Sequence, residues 1–123
     1  MSKPIRSHYQ QLPAYITRDQ SEIRELMHPL HHGVEKQSLA EAIVPIGTTT
    51  LLHRHALSEE LYYILQGRGE MTLGDEVFTV QQGDSVCIRP NTPHCIKNTG
   101  TDDLKILCCC SPAYSHDDTE LLE

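Results

Sequence analysis

Four side chains in this sequence have the types and spacing to hold a metal ion. His53 and His55 stand two residues apart, so on an extended strand both imidazoles project from one face. They lie about 6–7 Å apart along the chain, a workable separation for chelating one ion. Glu60 follows after a short turn, where its carboxylate can swing back toward the pair. His94 comes directly after the tight, proline-rich stretch Arg89-Pro90-Asn91-Thr92-Pro93, which holds its backbone rigidly. Tyr62 and Ile64 share the parity of Glu60 and so face the same way. Tyr62 can donate a proton to a bound molecule or pack beneath the ion.

The elements that must position these groups read as short strands. From about Ser38 to Cys110, Gly, Pro and Asn recur every eight to twelve residues between runs rich in Val, Ile, Thr, Tyr and Leu, the rhythm of an all-β sandwich or barrel. Gly74-Asp75 makes a two-residue hairpin turn that pairs Leu73 with Glu76 and Met71 with Phe78. Met71, Leu73, Phe78 and Val80 then form the core face, with Glu70, Thr72, Val77 and Thr79 opposite, where Glu70 and Thr72 can line a cavity mouth. Leu104, Ile106, Cys108 and Cys110 share one face of a later strand. The segment from Thr17 to Met27 has two readings. One is a capped helix with Ile23, Leu26 and Met27 on one side; the other is a strand with Ile23, Glu25 and Met27 in a row. The acidic tail from Ser115 to Glu123 reads as a helical turn or a frayed end.

The remaining histidines and cysteines read as structural. His28, His31 and His32 fall in a solvated loop bounded by Pro29 and Gly33, and His8 and His116 lie near the exposed termini. Cys108, Cys109 and Cys110 are consecutive and so diverge on a strand, and no CxxC spacing occurs. They and Cys95 read as packing residues of a reduced protein. Arg54, between two inward histidines, turns outward.

At 123 residues the chain has room for one domain. Its net charge of −7 disfavours a nucleic-acid partner. No stretch approaches the roughly 20 apolar residues of a membrane helix, and the first ten residues lack the apolar run of a secretion signal. The expected compartment is the cytoplasm.

Together the two histidine stretches resemble the paired motifs of the cupin superfamily, G-x5-HxH-x3–4-E-x6-G and G-x5-PxG-x2-H-x3-N. The first fits throughout, at Gly47, His53, His55, Glu60 and Gly67, and its spacing to Gly67 favours Glu60 over Glu59. The second fits at Gly83, His94 and Asn98 and departs at Arg89 and Asn91, where the family has Pro and Gly. Asn tolerates positive φ better than most residues, so the turn at Asn91 survives. The gap of fifteen residues between Gly67 and Gly83 matches small bacterial cupins.

The resemblance implies a single-domain jelly-roll β-barrel over residues 36–112, with an N-terminal extension over 1–35 and a tail over 113–123. It also implies a homodimer paired through N-terminal strands. The ligands it implies for one divalent ion (Fe, Mn, Zn, Ni or Cu) are His53, His55, Glu60 and His94, leaving two open positions for a bidentate anion or for substrate with O₂. The expected function is a metal-dependent enzyme, of oxygenase or isomerase and lyase type, on a small anionic or hydroxylated metabolite, with Tyr62 as acid. The alternative is a non-catalytic module that binds metal or a small ligand.

Overall fold

In the computed structural model, residues 3–123 are described, and among them strands carry nearly all the regular structure. A 3₁₀ turn (Tyr9–Gln11) precedes β1 (Ala14–Ile16) and β2 (Glu22–Met27), and the single turn α1 (Pro29–His32) leads into β3 (Ser38–Val44). Then come β4 (His53–His55), β5 (Glu59–Gln66), β6 (Arg68–Leu73), β7 (Glu76–Gln81), β8 (Ser85–Ile88) and β9 (His94–Asn98). The chain finishes with β10 (Leu104–Ser111) and β11 (Thr119–Leu121). They form two antiparallel sheets, ordered β1-β2-β3-β10-β5-β8 and β11-β4-β9-β6-β7, which pack as a jelly-roll barrel.

The hairpin register is the expected one, with Met71 opposite Phe78 and Leu73 opposite Glu76 across β6 and β7. Met71 and Val80 are buried and Val77 is exposed, as alternation requires. Gly69 lets β6 and β9 close up: a Cβ there would lie 2.8 Å from the carbonyl oxygen of Lys97, so only glycine fits. Glu70 is exposed and Thr72 half-buried, and neither reaches a cavity mouth. Their face of the hairpin is the outer one.

Within Thr17 to Met27 there is no helix: a turn leads into the strand Glu22–Met27. Asp19 and Gln20 turn β1 into β2, with Gln20 at φ 78° and Asp19 accepting from the backbone and hydroxyl of Ser21. The Thr17-Arg18-Asp19 sequence that suggests a helix cap thus caps a β-turn, and pairing with β3 overrides local propensity. The tail reading needs a correction too. Thr119–Leu121 pairs with His53–His55 as an edge strand, and Asp118 accepts from the backbone of Leu57 and Ser58, so the tail is neither helical nor frayed. His28 also departs from expectation. It is buried, caps α1 by accepting from Leu30 N, and lies 2.8 Å from the Tyr114 carbonyl through Nε2. His31, His8 and His116 are exposed.

The barrel interior divides along its strands. Ile64, Met71, Ile88, Ile96, Leu104 and Ile106 fill one half, each almost wholly removed from water. Toward the other half, the same strands carry small and polar residues on their inward faces and leave a cavity.

Candidate metal centre

β4, β5 and β9 bring the four motif side chains together. His53 pairs directly with His94 across β4 and β9, which sets their rings 4.2 Å apart. His55 follows on the same face of β4, so one coordinating atom from each of the three imidazoles lies within 4.8 Å of the others. All three residues are buried. The turn that carries His94 is built as its sequence implied: Asn91 takes the left-handed conformation at φ 66° and donates its N–H to the His55 carbonyl at 2.6 Å.

The hydrogen bonds behind the rings fix their protonation. His53 Nδ1 lies 2.7 Å from the Leu51 carbonyl and His94 Nδ1 3.0 Å from the Thr92 carbonyl, and a carbonyl only accepts. His55 Nδ1 lies 3.0 Å from Thr119 Oγ1, whose own proton goes to the Ser115 carbonyl at 2.8 Å. Each ring therefore carries a proton on Nδ1 and turns Nε2 inward as its coordinating atom, the arrangement that backs metal-binding histidines.

The Glu60 carboxylate enters the same space. Its Oε1 is 3.3 Å from His55 Nε2 and 3.5 Å from His94 Nε2, while Oε2 accepts from the Cys110 thiol at 3.4 Å. Glu59 is exposed. Burial alone would push the Glu60 carboxyl up, but the His55 and His94 rings draw it down to about 2. Burial, reinforced by the neighbouring His94, holds His53 below its ordinary 6.5. An ionised carboxylate and the inward Nε2 atoms of the imidazoles thus converge on one space. Glu60 Oε1 and His94 Nε2 are buried without any hydrogen-bond partner. Converging acceptors leave such groups unsatisfied unless a cation sits among them, so the donor set fits a divalent ion.

The cavity beside these groups is narrow, with about 40 Å³ open to the centres of water-sized spheres, and it opens to solvent at its mouth. Tyr62 lines it, buried, with its ring 6.2 Å from that of His94 in an edge-on contact. Burial and the nearby Glu60 push its phenol well above the usual range, so it stays protonated. Arg54 points outward onto Glu120 at 2.9 Å. Cys108 and Cys110 line the cavity, and Cys109 faces the other side of the sheet.

Sequence reasoning missed Asp19, Glu25, Cys110 and Thr119, all of which line this cavity. Asp19 Oδ2 stands 3.9 Å from His53 Nε2. The signal for Glu25 is the strand alternation Ile23, Glu25, Met27, which stands beside a helical reading of the same residues. The partnership of Thr119 with His55 spans 64 residues and leaves no local trace.

Comparison with known proteins agrees with this architecture. Residues 40–110 match the family model described as the cupin domain. An uncharacterised protein of the archaeal Methanocaldococcus jannaschii is 60% identical over 122 residues, covering 98% of this chain and 97% of its own. Among solved structures, a Lactobacillus farciminis oxalate decarboxylase in complex with formate superimposes with a TM-score of 0.81 at 24% identity. That match covers 94% of this chain but only 35% of the other, so the present chain spans about a third of that protein. A polyketide cyclase of Streptomyces resistomycificus superimposes with a TM-score of 0.80 at 22% identity, covering 100% of this chain and 87% of the cyclase. The family match, the barrel and the histidine cluster at its open end agree: this chain belongs to the cupin family.

Proposed function

We propose that His53, His55, His94 and Glu60 hold one divalent metal ion, and that the centre converts a small oxygen-bearing molecule bound in the cavity. The observation that carries this reading is the pair of buried, unpartnered acceptors, Glu60 Oε1 and His94 Nε2, aimed at a common space with two further imidazoles. When bound, the ion supplies Lewis acidity and, as iron, redox chemistry. The chain's own groups do the rest. Three imidazoles locked by Nδ1 bonds keep their lone pairs on the ion, Glu60 offsets one unit of its charge, and the Cys110 thiol orients the carboxylate. Tyr62, kept protonated, donates a hydrogen bond to the bound molecule, and a phenol held so far above its usual range is a hydrogen-bond donor rather than a proton source.

Elemental analysis of anaerobically purified protein, beside a His94→Ala variant, tests this. Near one equivalent of metal in the native chain, lost in the variant, is the expected result; a native chain that takes up none after reconstitution overturns it. Iron directs the search to O₂-dependent substrates, and manganese or zinc to isomerase or lyase chemistry. A second copy is part of the proposal. Pairing through the N-terminal strands is what the resemblance implies, the exposed Ile16 at the end of β1 supports it, and sedimentation of Ile16→Glu against the native chain checks it.

A further inference from the structure

The cavity floor is organised in rows across the six-stranded sheet. The registers align Glu25, Ala40, Cys108 and Tyr62 across β2, β3, β10 and β5, and the next row runs Ser38, Cys110, Glu60. Three strand spacings separate the ends of the first row, about 14 Å between Cα atoms. Between those ends the floor is alanine and cysteine. The arrangement is a slot, with the histidine cluster, Glu60 and Tyr62 at one end and Glu25 at the other.

The Glu25 end is half-finished. Oε1 accepts from the Tyr15 hydroxyl at 2.8 Å, whereas Oε2 is buried with no partner. A buried carboxylate oxygen without a donor is costly, and here the space in front of it is the slot itself. The slot also lacks positive charge. Among the described residues no lysine or arginine lines it, and Arg24, next to Glu25 in sequence, turns to the outer face to meet Glu41 and the Tyr9 ring. Asp19, Glu25 and Glu60 put three carboxylates on the walls, one unit of charge more than a divalent ion neutralises. An anion bound at the ion would lie inside this negative surround.

We infer that the slot binds a small neutral molecule bearing hydroxyl groups, one oxygen toward the histidine cluster and one hydroxyl donated to Glu25 Oε2, and that it rejects dicarboxylates. This rests on the proposed metal site and narrows it. The two-position opening that the motif alone suggests for a bidentate anion is closed to that ligand by Asp19 and Glu25, which the motif does not contain.

Isothermal titration of the Mn²⁺-loaded protein with xylitol and with oxalate, for the native chain, Glu25→Gln and Glu25→Lys, tests the inference. Xylitol affinity should fall about tenfold in Glu25→Gln, the worth of a hydrogen bond to a charged acceptor. Oxalate affinity should rise at least about tenfold from the native chain to Glu25→Lys as the wall charge reverses. Glu25→Asp, which keeps the charge but draws the oxygens back by one methylene, should weaken xylitol binding and serves if Glu25→Gln or Glu25→Lys misfolds; unchanged xylitol affinity in it counts against the inference. Oxalate bound equally by all three chains, or xylitol affinity indifferent to Glu25, overturns the inference. Manganese content is measured on the same samples. A native chain that takes up no metal sinks the metal reading alone, because the Glu25 effect on xylitol is then read on the metal-free protein.

Discussion

The two halves of the barrel interior are built by the same strands and obey opposite rules. Along β5 the inward residues run Glu60, Tyr62, Ile64; along β10 they run Cys110, Cys108, Ile106, Leu104; along β3, Ser38, Ala40, Ala42, Val44. At one end each position is a large aliphatic filling space. At the other, each is either small enough to leave room or polar and lacking a partner. The aliphatic half follows the ordinary logic of burial, whereas the histidine half stores unmet hydrogen-bonding demand that only a ligand can relieve. Stability and function are thus separated by two or three residues along a single strand.

Substitutions can break that separation or sharpen it. Ile64→Ala should cost about 2–5 kcal/mol in denaturant unfolding while metal stoichiometry in the folded fraction stays unchanged. A loss of metal alongside the stability would show that the halves are one unit. Thr119→Val removes the acceptor behind His55 and should weaken metal affinity about 10–100-fold with little change in melting temperature, and Thr119→Ser should restore it. In the metal-free protein, acid should act through the histidine half. His53 is held below 6.5, so the folded chain binds fewer protons than the unfolded one there, and stability present above pH 6.5 is lost as pH falls. Glu60 acts in the same sense between about 4.5 and 2. Melting temperatures across pH 7 to 5 should therefore fall less steeply for His53→Gln than for the native chain. The smallest expected effect is Ala40→Leu, which fills the slot floor: stability rises by roughly 1 kcal/mol while xylitol binding disappears.

Much of the site was legible because it is local. His53, His55 and Glu60 sit within eight residues, and period-two alternation alone puts the histidines on one face. The Gly74-Asp75 hairpin and its core face were equally local, as was the left-handed turn at Asn91. What escaped was set by partners distant in sequence. β2 is a strand because β3 pairs with it, and β11 exists because β4 offers an unpaired edge. The slot's second end, at Glu25, depends on a register spanning four strands. His28 looked solvated because nothing nearby in sequence announces the Tyr114 carbonyl, 86 residues on.

The bond from Thr119 to His55 has a consequence for how the protein is made. A chain emerging from the ribosome can pair β4 with β9 once His94 is out, yet the His55 ring has no fixed orientation until β11 arrives. Closing that 64-residue loop makes it a late event in folding. An ion that meets the nascent chain earlier finds two oriented imidazoles at most. On the proposed metal reading, an ion would be bound only by the finished barrel, so that the geometry of the site, rather than the first ion encountered, would select the metal.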